Sequence, residues 1–276
     1  MTIRPLLVFC ALGVSAALTE STNDAGQATN PSTNQQLFGQ SGIRNPQSAI
    51  DSSGRFAIRH PPSAIDSSEQ SAIRHPSSAM KVLFDGKSLD AWRGYKGSAV
   101  PQGWRVENGA MTKNSSVGDL VSKDEFGDFE LELEWKIGEG GNGGIFYRAT
   151  EEYDHVYWSG PEYQLLDDTK AADNKTRLTC AGAAYALYPS PAGHLKPVGE
   201  FNATRIVARG AHVEHWLNNF KLLEYELWSP DWEAKVKASK FAVYPNFGRA
   251  KRGHVALQGD HEGTLAFRNI RIRELK

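Results

Sequence analysis

The stretch from residue 128 to residue 137 constrains the fold most, because its side chains alternate strictly between apolar and charged. The apolar positions are Phe129, Leu131, Leu133 and Trp135, and the charged positions between them are Glu130, Glu132, Glu134 and Lys136. Successive side chains of a β-strand point to opposite faces of a sheet. The pattern therefore predicts a strand with one buried face and one solvated face, in a sheet that packs against another layer.

Further short segments have the same character and are bounded by Gly, Asn and Asp turns. We predict strands at 144–149, 162–166, 203–208, 212–217, 221–226, 254–258 and 265–272. Asn218-Asn219 lies between two of them and predicts a hairpin, since Asn tolerates positive φ. One short helix is indicated near residues 230–239, with Ser229 as its cap and Pro230 at its first position. The absence of a βαβ rhythm predicts an all-β, antiparallel jelly-roll sandwich.

The first 19 residues have the order of a secretory signal peptide. Arg4 precedes an apolar run from Pro5 to Val14, and small residues follow at Ser15 to Ala17. The run is shorter than the roughly 20 residues that a membrane-spanning helix needs. We expect a secreted, periplasmic or cell-envelope protein without a membrane span, with an uncleaved N-terminal anchor as the alternative.

Residues 20–79 are rich in Ser, Asn, Gln and Pro and almost free of aromatic residues, which predicts a disordered tether. The tether contains 15-residue repeats: the sequence of 48–53 recurs at 63–68, and that of 57–61 recurs at 72–76. Aromatic residues and alternating patterns begin at about Met80. The folded domain is therefore expected to span residues 80–276.

The composition excludes several classes of protein. The formal net charge of −1 gives no electrostatic footprint for nucleic acid. Removal of the signal peptide would remove Cys10 and leave Cys180 alone, so no disulfide could form within the chain. His212 and His215 fall on opposite faces of one predicted strand and cannot both bind one ion. We predict no metal site and no cofactor from these patterns, while a divalent ion stays open as an alternative.

Seven stretches resemble the bacterial 3-keto-disaccharide hydrolase family. They are LFDGKSLDAW (83–92), WRVENG (104–109), FGDFEL (126–131), GNGGIFYR (141–148), EYQLLD (162–167), KPVGEFN (196–202) and FRNIRI (267–272). The resemblance implies a concanavalin-like jelly roll that acts on carbohydrate. Two departures are visible: Gly143 stands where the family often has Ser, and residues 258–263 read QGDHEG where a compact QDHG is common.

The resemblance also implies a reaction. A ketone at C3 of a glycoside acidifies the hydrogen at C2, so loss of that proton can expel the group bonded at C1. Such an elimination needs a base near C2, a positive or hydrogen-bonding group for the enolate oxygen, and an acid for the leaving oxygen. Addition of water then gives net hydrolysis. The spaced carboxylate pair of ordinary glycosidases is not required.

Glu162 is the predicted base, and Gln164 lies two residues away on the same face of its strand. Arg148 ends the preceding predicted strand and is the expected electrostatic partner, with Asp167 in a supporting, substrate-binding role. Two alternatives stay open. Glu162 and Arg148 could form a structural cross-strand ion pair, and Asp167 could be a turn residue that bonds its own backbone.

Other candidates come from loops and strand ends. Lys196 resembles a recurrent Lys of the family and is a candidate for substrate binding or for protonating the leaving group, and, like Arg148, for the electrostatic partner of Glu162. An exposed loop lysine is the alternative. His261, beside Asp260 in the altered loop, is a candidate acid, base or metal ligand. Asn142, Tyr147, Trp158 and Gln258 complete the predicted substrate-binding set. Core packing is the alternative for each aromatic residue.

Three functions fit these observations. The first is an exported hydrolase or lyase of 3-keto-glycosides, and the second is a non-catalytic, lectin-like carbohydrate-binding module. The third is a surface-display protein that the repetitive tether holds away from the envelope. The sugar configuration, the aglycone and the oligomeric state are not determined by the sequence.

Overall fold

The structure, a computed structural model, describes residues 79–276. The predicted signal peptide (1–19) and all but the last residue of the predicted tether (20–79) lie outside these residues. The fold of the described part is an all-β antiparallel sandwich with one short helix, as predicted. In this part of the chain no helix has the length and apolar character needed to cross a membrane.

Thirteen strands form two sheets within residues 79–276. The larger sheet contains β1 (Lys81–Phe84), β3 (Arg105–Glu107), β4 (Ala110–Lys113), β6 (Phe129–Ile137), β9 (Asn202–Arg209), β10 (His212–Leu217), β11 (Phe220–Glu226) and β13 (Leu265–Glu274). The smaller sheet contains β2 (Trp92–Gly94), β5 (Leu120–Phe126), β7 (Asn142–Ala149), β8 (Glu162–Leu166) and β12 (Gly253–Leu257). The helix α1 spans Pro230–Ala238, and 3₁₀ turns span Val156–Trp158 and Lys240–Val243.

The order of strands in the larger sheet is β11-β10-β9-β6-β13-β4-β3, and β1 pairs with β13. In the smaller sheet the order is β2-β5-β12-β7-β8. All the pairs within these sheets are antiparallel. The edge strands of the smaller sheet are β2 and β8, so β8 pairs with a strand of this sheet on one side only.

Strand β6 has the two faces that its sequence predicts. Its apolar side chains Phe129, Leu131, Leu133 and Trp135 are buried in the core between the sheets. The acidic side chains on the other face pair with basic residues of β13: Glu132 with Arg271 and Glu134 with Arg268, both at 2.6 Å. Cross-strand ion pairs of this kind fix the register at little cost in solvation, because they stay partly exposed.

The predicted turn and helix signals are also confirmed. Asn218 and Asn219 have φ values of 49° and 69° and connect β10 to β11 as a hairpin. The hydroxyl of Ser229 accepts a hydrogen bond from the backbone N–H of Trp232 at 3.2 Å, which caps α1. The indole of Trp232 is buried and stacks on Tyr225 with ring centroids 5.4 Å apart, so α1 docks on the sheet through this side chain.

Five strands were not predicted: β1 to β5. Four of them contain only three or four residues, too few for a period of two to stand out from chance. The fifth, β5, contains the exposed charged run Lys123 to Glu125 before its last residue, Phe126, and this run breaks the alternation. These strands are specified by their partners in the sheets rather than by a local pattern.

A β-bulge at the end of β7 changes the direction of the Arg148 side chain. The pairing of β7 with β12 shifts by one residue between Phe146 and Ala149, and Arg148 has a φ of 50°. Its guanidinium donates to the carbonyl oxygens of Gly127 at 2.9 Å and Gly210 at 2.8 Å. It also pairs with Asp128 at 3.0 Å, and the whole side chain is only 2% exposed. Arg148 therefore ties β7 to the turn that leads from β5 into β6 and to the turn between β9 and β10.

We expect Arg148→Met to lower the free energy of unfolding by about 2 to 4 kcal/mol, because it removes the guanidinium donor of two carbonyl groups and the cationic partner of Asp128. Urea denaturation measures this. Arg249→Met is the matched control, since Arg249 pairs with Glu233 at the surface and should contribute less than about 1 kcal/mol. Equal effects of the two substitutions would contradict a structural role for Arg148.

Candidate functional site

A cleft of about 230 Å³ lies over the face of the smaller sheet that is turned away from the larger one. Tyr163 and Leu165 of β8 point into the core between the sheets, so Glu162 and Gln164 point the other way, into the cleft. The lining residues are Asn142, Tyr157, Glu162, Gln164, Asp173, Tyr185, Lys240, Gln258, Asp260 and His261. They come from β7, β8 and four separate loops, one of which follows β12 directly.

A larger depression of about 690 Å³ lies on the charged face of the larger sheet. Its acidic residues Glu132 and Glu134 are paired with arginines of β13, and Arg205 stacks on Trp216 at 4.0 Å. These charges already have partners and stay accessible to water. The smaller cleft is the better candidate site, because it holds the buried carboxyl group of Glu162 and the buried Oε1 atom of Gln258, which has no hydrogen-bond partner within the described residues.

Gly144 makes room for the carboxyl group of Glu162. Gly144 pairs with Gln164 across the β7-β8 ladder. A Cβ atom added at Gly144 would lie 2.3 Å from Oε1 of Glu162, which is far inside the contact distance. The carboxyl group therefore lies directly over the glycine, in space that any other side chain would fill.

Burial sets the electrostatics of Glu162. The residue is 8% exposed, and burial raises the pKa of its carboxyl group to about 8. The positive charge of Lys240 lowers this pKa, whereas the negative charges of Asp260, Asp173 and Asp119 raise it. Burial is the largest of these effects. At neutral pH Glu162 is therefore mostly protonated, and after ionisation it is a stronger base than an ordinary carboxylate.

Gln258 offers the cleft an acceptor. Its side chain is 5% exposed, and its Oε1 atom has no hydrogen-bond partner within the described residues. A buried acceptor without a donor costs free energy, so this position favours a ligand that brings a hydroxyl group.

The altered loop after Gln258 does reach the cleft, as expected from its position in the sequence, and supplies Asp260 and His261. Its start is held by Asp119, whose Oδ1 accepts from the N–H of Gly259 at 2.7 Å. Burial raises the pKa of Asp119 to about 6. A Cβ at Gly259 would lie 2.7 Å from the carbonyl oxygen of Gly118, so the loop can pass this point only as glycine.

Lys240 and Tyr185 are residues of the cleft that the sequence patterns did not predict. Lys240 follows α1, and its ammonium lies 4.3 Å from the ring centroid of Tyr185 and 5.8 Å from that of Tyr157. All three line the cleft together with Asp173. The predicted helix end near residue 239 was the one available signal for Lys240. Nothing in the local sequence indicates that this helix end meets β8.

Two predicted site residues are placed away from the cleft by strand geometry. The expected approach of Arg148 to Glu162 is corrected, since the bulge at the end of β7 sends its guanidinium to Gly127, Asp128 and Gly210. Tyr147 points into the core, because it shares a face with Ile145. The hydroxyl group of Tyr147 contacts the hydroxyl group of Tyr225 and, at 3.2 Å, Nε2 of His215.

Three further candidates also lie outside the cleft. The carboxylate of Asp167 accepts from the backbone N–H groups of Gly140 and Thr169, as expected for a turn residue. Lys196 is exposed and its ammonium donates to the carbonyl oxygen of Phe201 at 2.8 Å. Trp158 stacks on Tyr244 with centroids 4.8 Å apart, while its neighbour Tyr157 lines the cleft.

Within the described residues, one group of side chains has the spacing of a metal site: His212, Glu214 and Glu224 on the β10-β11 hairpin. The ammonium of Lys221 already lies 2.6 Å from Glu224 and 3.5 Å from Glu214. This cation compensates the carboxylates. His215, on the other face of β10, is buried, and burial lowers its pKa to about 4, so its imidazole is neutral.

Comparisons with known proteins agree on one family. Residues 79–273 match the model of a family described as a 3-keto-alpha-glucoside-1,2-lyase-like domain. A 3-keto-disaccharide hydrolase of Bacteroides thetaiotaomicron is 35% identical over 225 residues, which cover 70% of this chain and 77% of that protein. Two crystal structures of proposed glycosyl hydrolases from Parabacteroides distasonis are similar as well. The first is 31% identical with a TM-score of 0.67 and covers 71% of this chain and 94% of its own. The second is 27% identical with a TM-score of 0.55 and covers 71% and 100%.

The raised pKa of Glu162 predicts a stability that depends on pH. Between the ordinary pKa of 4.5 and about 8 the unfolded chain has released this proton while the folded chain keeps it, so stability falls as pH rises. Between pH 5 and pH 8.5 we expect the free energy of unfolding of the wild type to fall by on the order of 2 to 5 kcal/mol through this group, as measured by urea denaturation. In Glu162→Gln this part of the pH dependence should be absent. Glu233→Gln is the control, because its hydrogen bond to Arg249 lowers the pKa of Glu233 and reverses the sign. Parallel pH curves for wild type and Glu162→Gln would contradict the burial of this carboxyl group.

Proposed function

This chain belongs to the 3-keto-alpha-glucoside-1,2-lyase-like family, and we propose that it is an exported enzyme that cleaves 3-keto-glycosides in the cleft around Glu162. The observation that carries the proposal is a buried carboxyl group whose pKa is raised to about 8, in a cleft that also contains a lysine. Elimination at a 3-keto sugar needs such a base and such a cation together.

In the proposed reaction, Glu162 removes the proton from C2, and the electron pair moves to form an enolate whose oxygen is at C3. The bond from C1 to the leaving oxygen then breaks, giving a C1–C2 double bond. Water adds its hydroxyl group to C1 and a proton returns to C2, so the net reaction is hydrolysis. Without the water step the same chemistry is that of a lyase.

Lys240 is the proposed partner of the enolate oxygen. It is the cationic side chain of the cleft whose charge lowers the pKa of Glu162, which places the two groups within electrostatic reach. A positive charge beside a developing oxyanion stabilises the transition state more than the ground state. The sequence favours Arg148 or Lys196 for this role, but both side chains lie outside the cleft.

His261 is the proposed acid for the leaving oxygen. Its Nε2 lies 3.8 Å from Oδ1 of Asp260, and at the mouth of the cleft His261 is half-buried while Asp260 is exposed. The leaving group would therefore point toward solvent. Gln258 can accept a hydrogen bond from a hydroxyl group of the sugar ring that is held inside.

The test is incubation of the full chain with a 3-keto-disaccharide and with its unoxidised parent, each with and without EDTA, followed by mass spectrometry of the products. We expect cleavage of the keto sugar alone. Glu162→Gln should lose roughly 10²- to 10⁴-fold in kcat/KM, and Lys240→Met roughly 10²- to 10³-fold. Lys196→Met is the matched control for Lys240 and should retain activity.

Two results would overturn this proposal. Binding of the keto sugar without any cleavage would favour the lectin-like function. Cleavage that survives Glu162→Gln would move the chemistry to another group. Loss of cleavage with EDTA would instead add a metal ion to the site, which the His261 and Asp260 pair would be the first candidates to bind.

A base with a pKa near 8 predicts the pH dependence of the reaction. In a His261→Gln background, which removes the proposed acid as a second titrating group, kcat/KM for the keto sugar should rise with pH and level off above about 8, because the ionised form of Glu162 is the active one. Lys240→Met should move the midpoint to higher pH, since the ammonium lowers the pKa of Glu162. A rate that falls as pH rises through 8 would show that Glu162 acts as an acid instead.

A further inference from the structure

Four polar side chains form a continuous chain from the buried end of the cleft to its edge. The Nδ2 atom of Asn142 donates to Oδ2 of Asp173 at 3.1 Å, and Nε2 of Gln164 donates to Oδ1 of Asn142 at 3.1 Å. The opposite end of the Gln164 amide lies 2.9 Å from Oε1 of Glu162. Two carboxyl groups are thus joined through two amides.

This row of four hydrogen-bonded side chains requires one proton on one of its two carboxyl groups. With the amides oriented as above, the oxygen of Gln164 faces Oε1 of Glu162 at 2.9 Å and the carbonyl oxygen of Gly143 at 3.2 Å. The first of these contacts is possible only if Glu162 carries a proton. Reversing Gln164 lets it donate to Glu162 and, at 3.2 Å, to the carbonyl of Gly143. Asn142 must then reverse as well, and its oxygen faces Asp173, which would need the proton instead.

Burial decides between the two arrangements. Glu162 is 8% exposed, whereas Asp173 is half-buried at the edge of the cleft. Asp173 also accepts a second hydrogen bond, from the hydroxyl group of Tyr185 at 3.3 Å. A negative charge is therefore less costly on Asp173 than on Glu162, and the proton belongs on Glu162.

We propose that Gln164 and Asn142 are positioning residues that form an oriented amide relay, through which the Asp173 carboxylate holds the proton on Glu162 in the free protein. The relay assigns these two amides a role besides contact with substrate. The catalytic consequence of the relay rests on the proposed function, because the relay sets the pH at which Glu162 becomes a base. The existence of the relay does not rest on that function, since the relay can be measured without substrate.

Other charged groups face Glu162 from the surrounding elements. Lys240 follows α1, Asp260 and His261 come from the loop after β12, and Asp119 precedes β5. These groups act on Glu162 through space and do not need Asn142. Asp173 acts through space too, so the relay is the part of its influence that disappears when Asn142 is removed.

A double-mutant cycle separates the two contributions. The pKa of Glu162 is measured in the full chain by ¹³C NMR of labelled glutamate carboxyl groups, with Glu162→Gln identifying the signal. We expect Asp173→Asn to lower this pKa by roughly one unit or more, because Asn can donate to Asn142 and let both amides reverse. In an Asn142→Leu background the same substitution should give less than half of that shift.

Asp260→Asn is the matched control. Asp260 also raises the pKa of Glu162 and lines the cleft, but it lies outside the chain of four. Its effect should be the same with and without Asn142. Asn142→Leu alone should lower the pKa of Glu162, because it frees Gln164 to donate to the carboxylate.

Equal shifts from Asp173→Asn in both backgrounds would overturn the relay and leave only a through-space effect. Thermal unfolding of every variant identifies any that fails to fold, and Asn142→Ser, whose hydroxyl is too short to bridge Gln164 and Asp173, then replaces Asn142→Leu. Since no substrate is present, a failed relay does not bear on the proposed reaction. A failed reaction likewise leaves these titrations valid.

Discussion

The two-sided packing of strand β8 is the constraint on which the site depends. Tyr163 and Leu165 are buried in the main core, and the hydroxyl of Tyr163 donates to the carbonyl oxygen of Trp216 in the larger sheet at 3.2 Å. Because the side chains of a strand alternate, this anchoring fixes Glu162 and Gln164 on the opposite face. The precision that acid and base chemistry needs therefore comes from the core between the sheets.

The cleft combines a carboxyl group that is hard to ionise with a cation that stabilises its charge. Gly144 brings the carboxyl group of Glu162 down onto the sheet, where water has little access, and burial keeps it protonated at neutral pH. Lys240 opposes that effect from across the cleft. This balance keeps the pKa of Glu162 near the operating pH. A base with such a pKa is ionised in a useful fraction of molecules and is still strong enough to abstract a proton from carbon.

Several polar residues that resemble catalytic groups instead maintain the sandwich. Arg148 ties the end of β7 to two turns next to the larger sheet, and Tyr147 forms a buried cluster with Tyr225 and the neutral imidazole of His215. Groups buried in this way need hydrogen-bond partners, and here they supply them to one another. A conspicuous charged or aromatic residue next to a site is therefore not by itself part of the site.

The sequence alone determined the fold class, the exact span of β8, the β10-β11 hairpin and the Ser229 cap, because period-two alternation, turn residues and caps act over a few neighbouring residues. It also determined that Glu162 and Gln164 share a face, and the altered loop at Gln258 pointed to His261. Only the tertiary structure decided which distant residues meet them. Lys240, Tyr185 and Asp173 reach the cleft through contacts between segments far apart in the chain, and Arg148 leaves it through a bulge that local alternation does not reveal. Sheet pairing and loop docking are set by complementary packing across the whole domain, which no local pattern encodes.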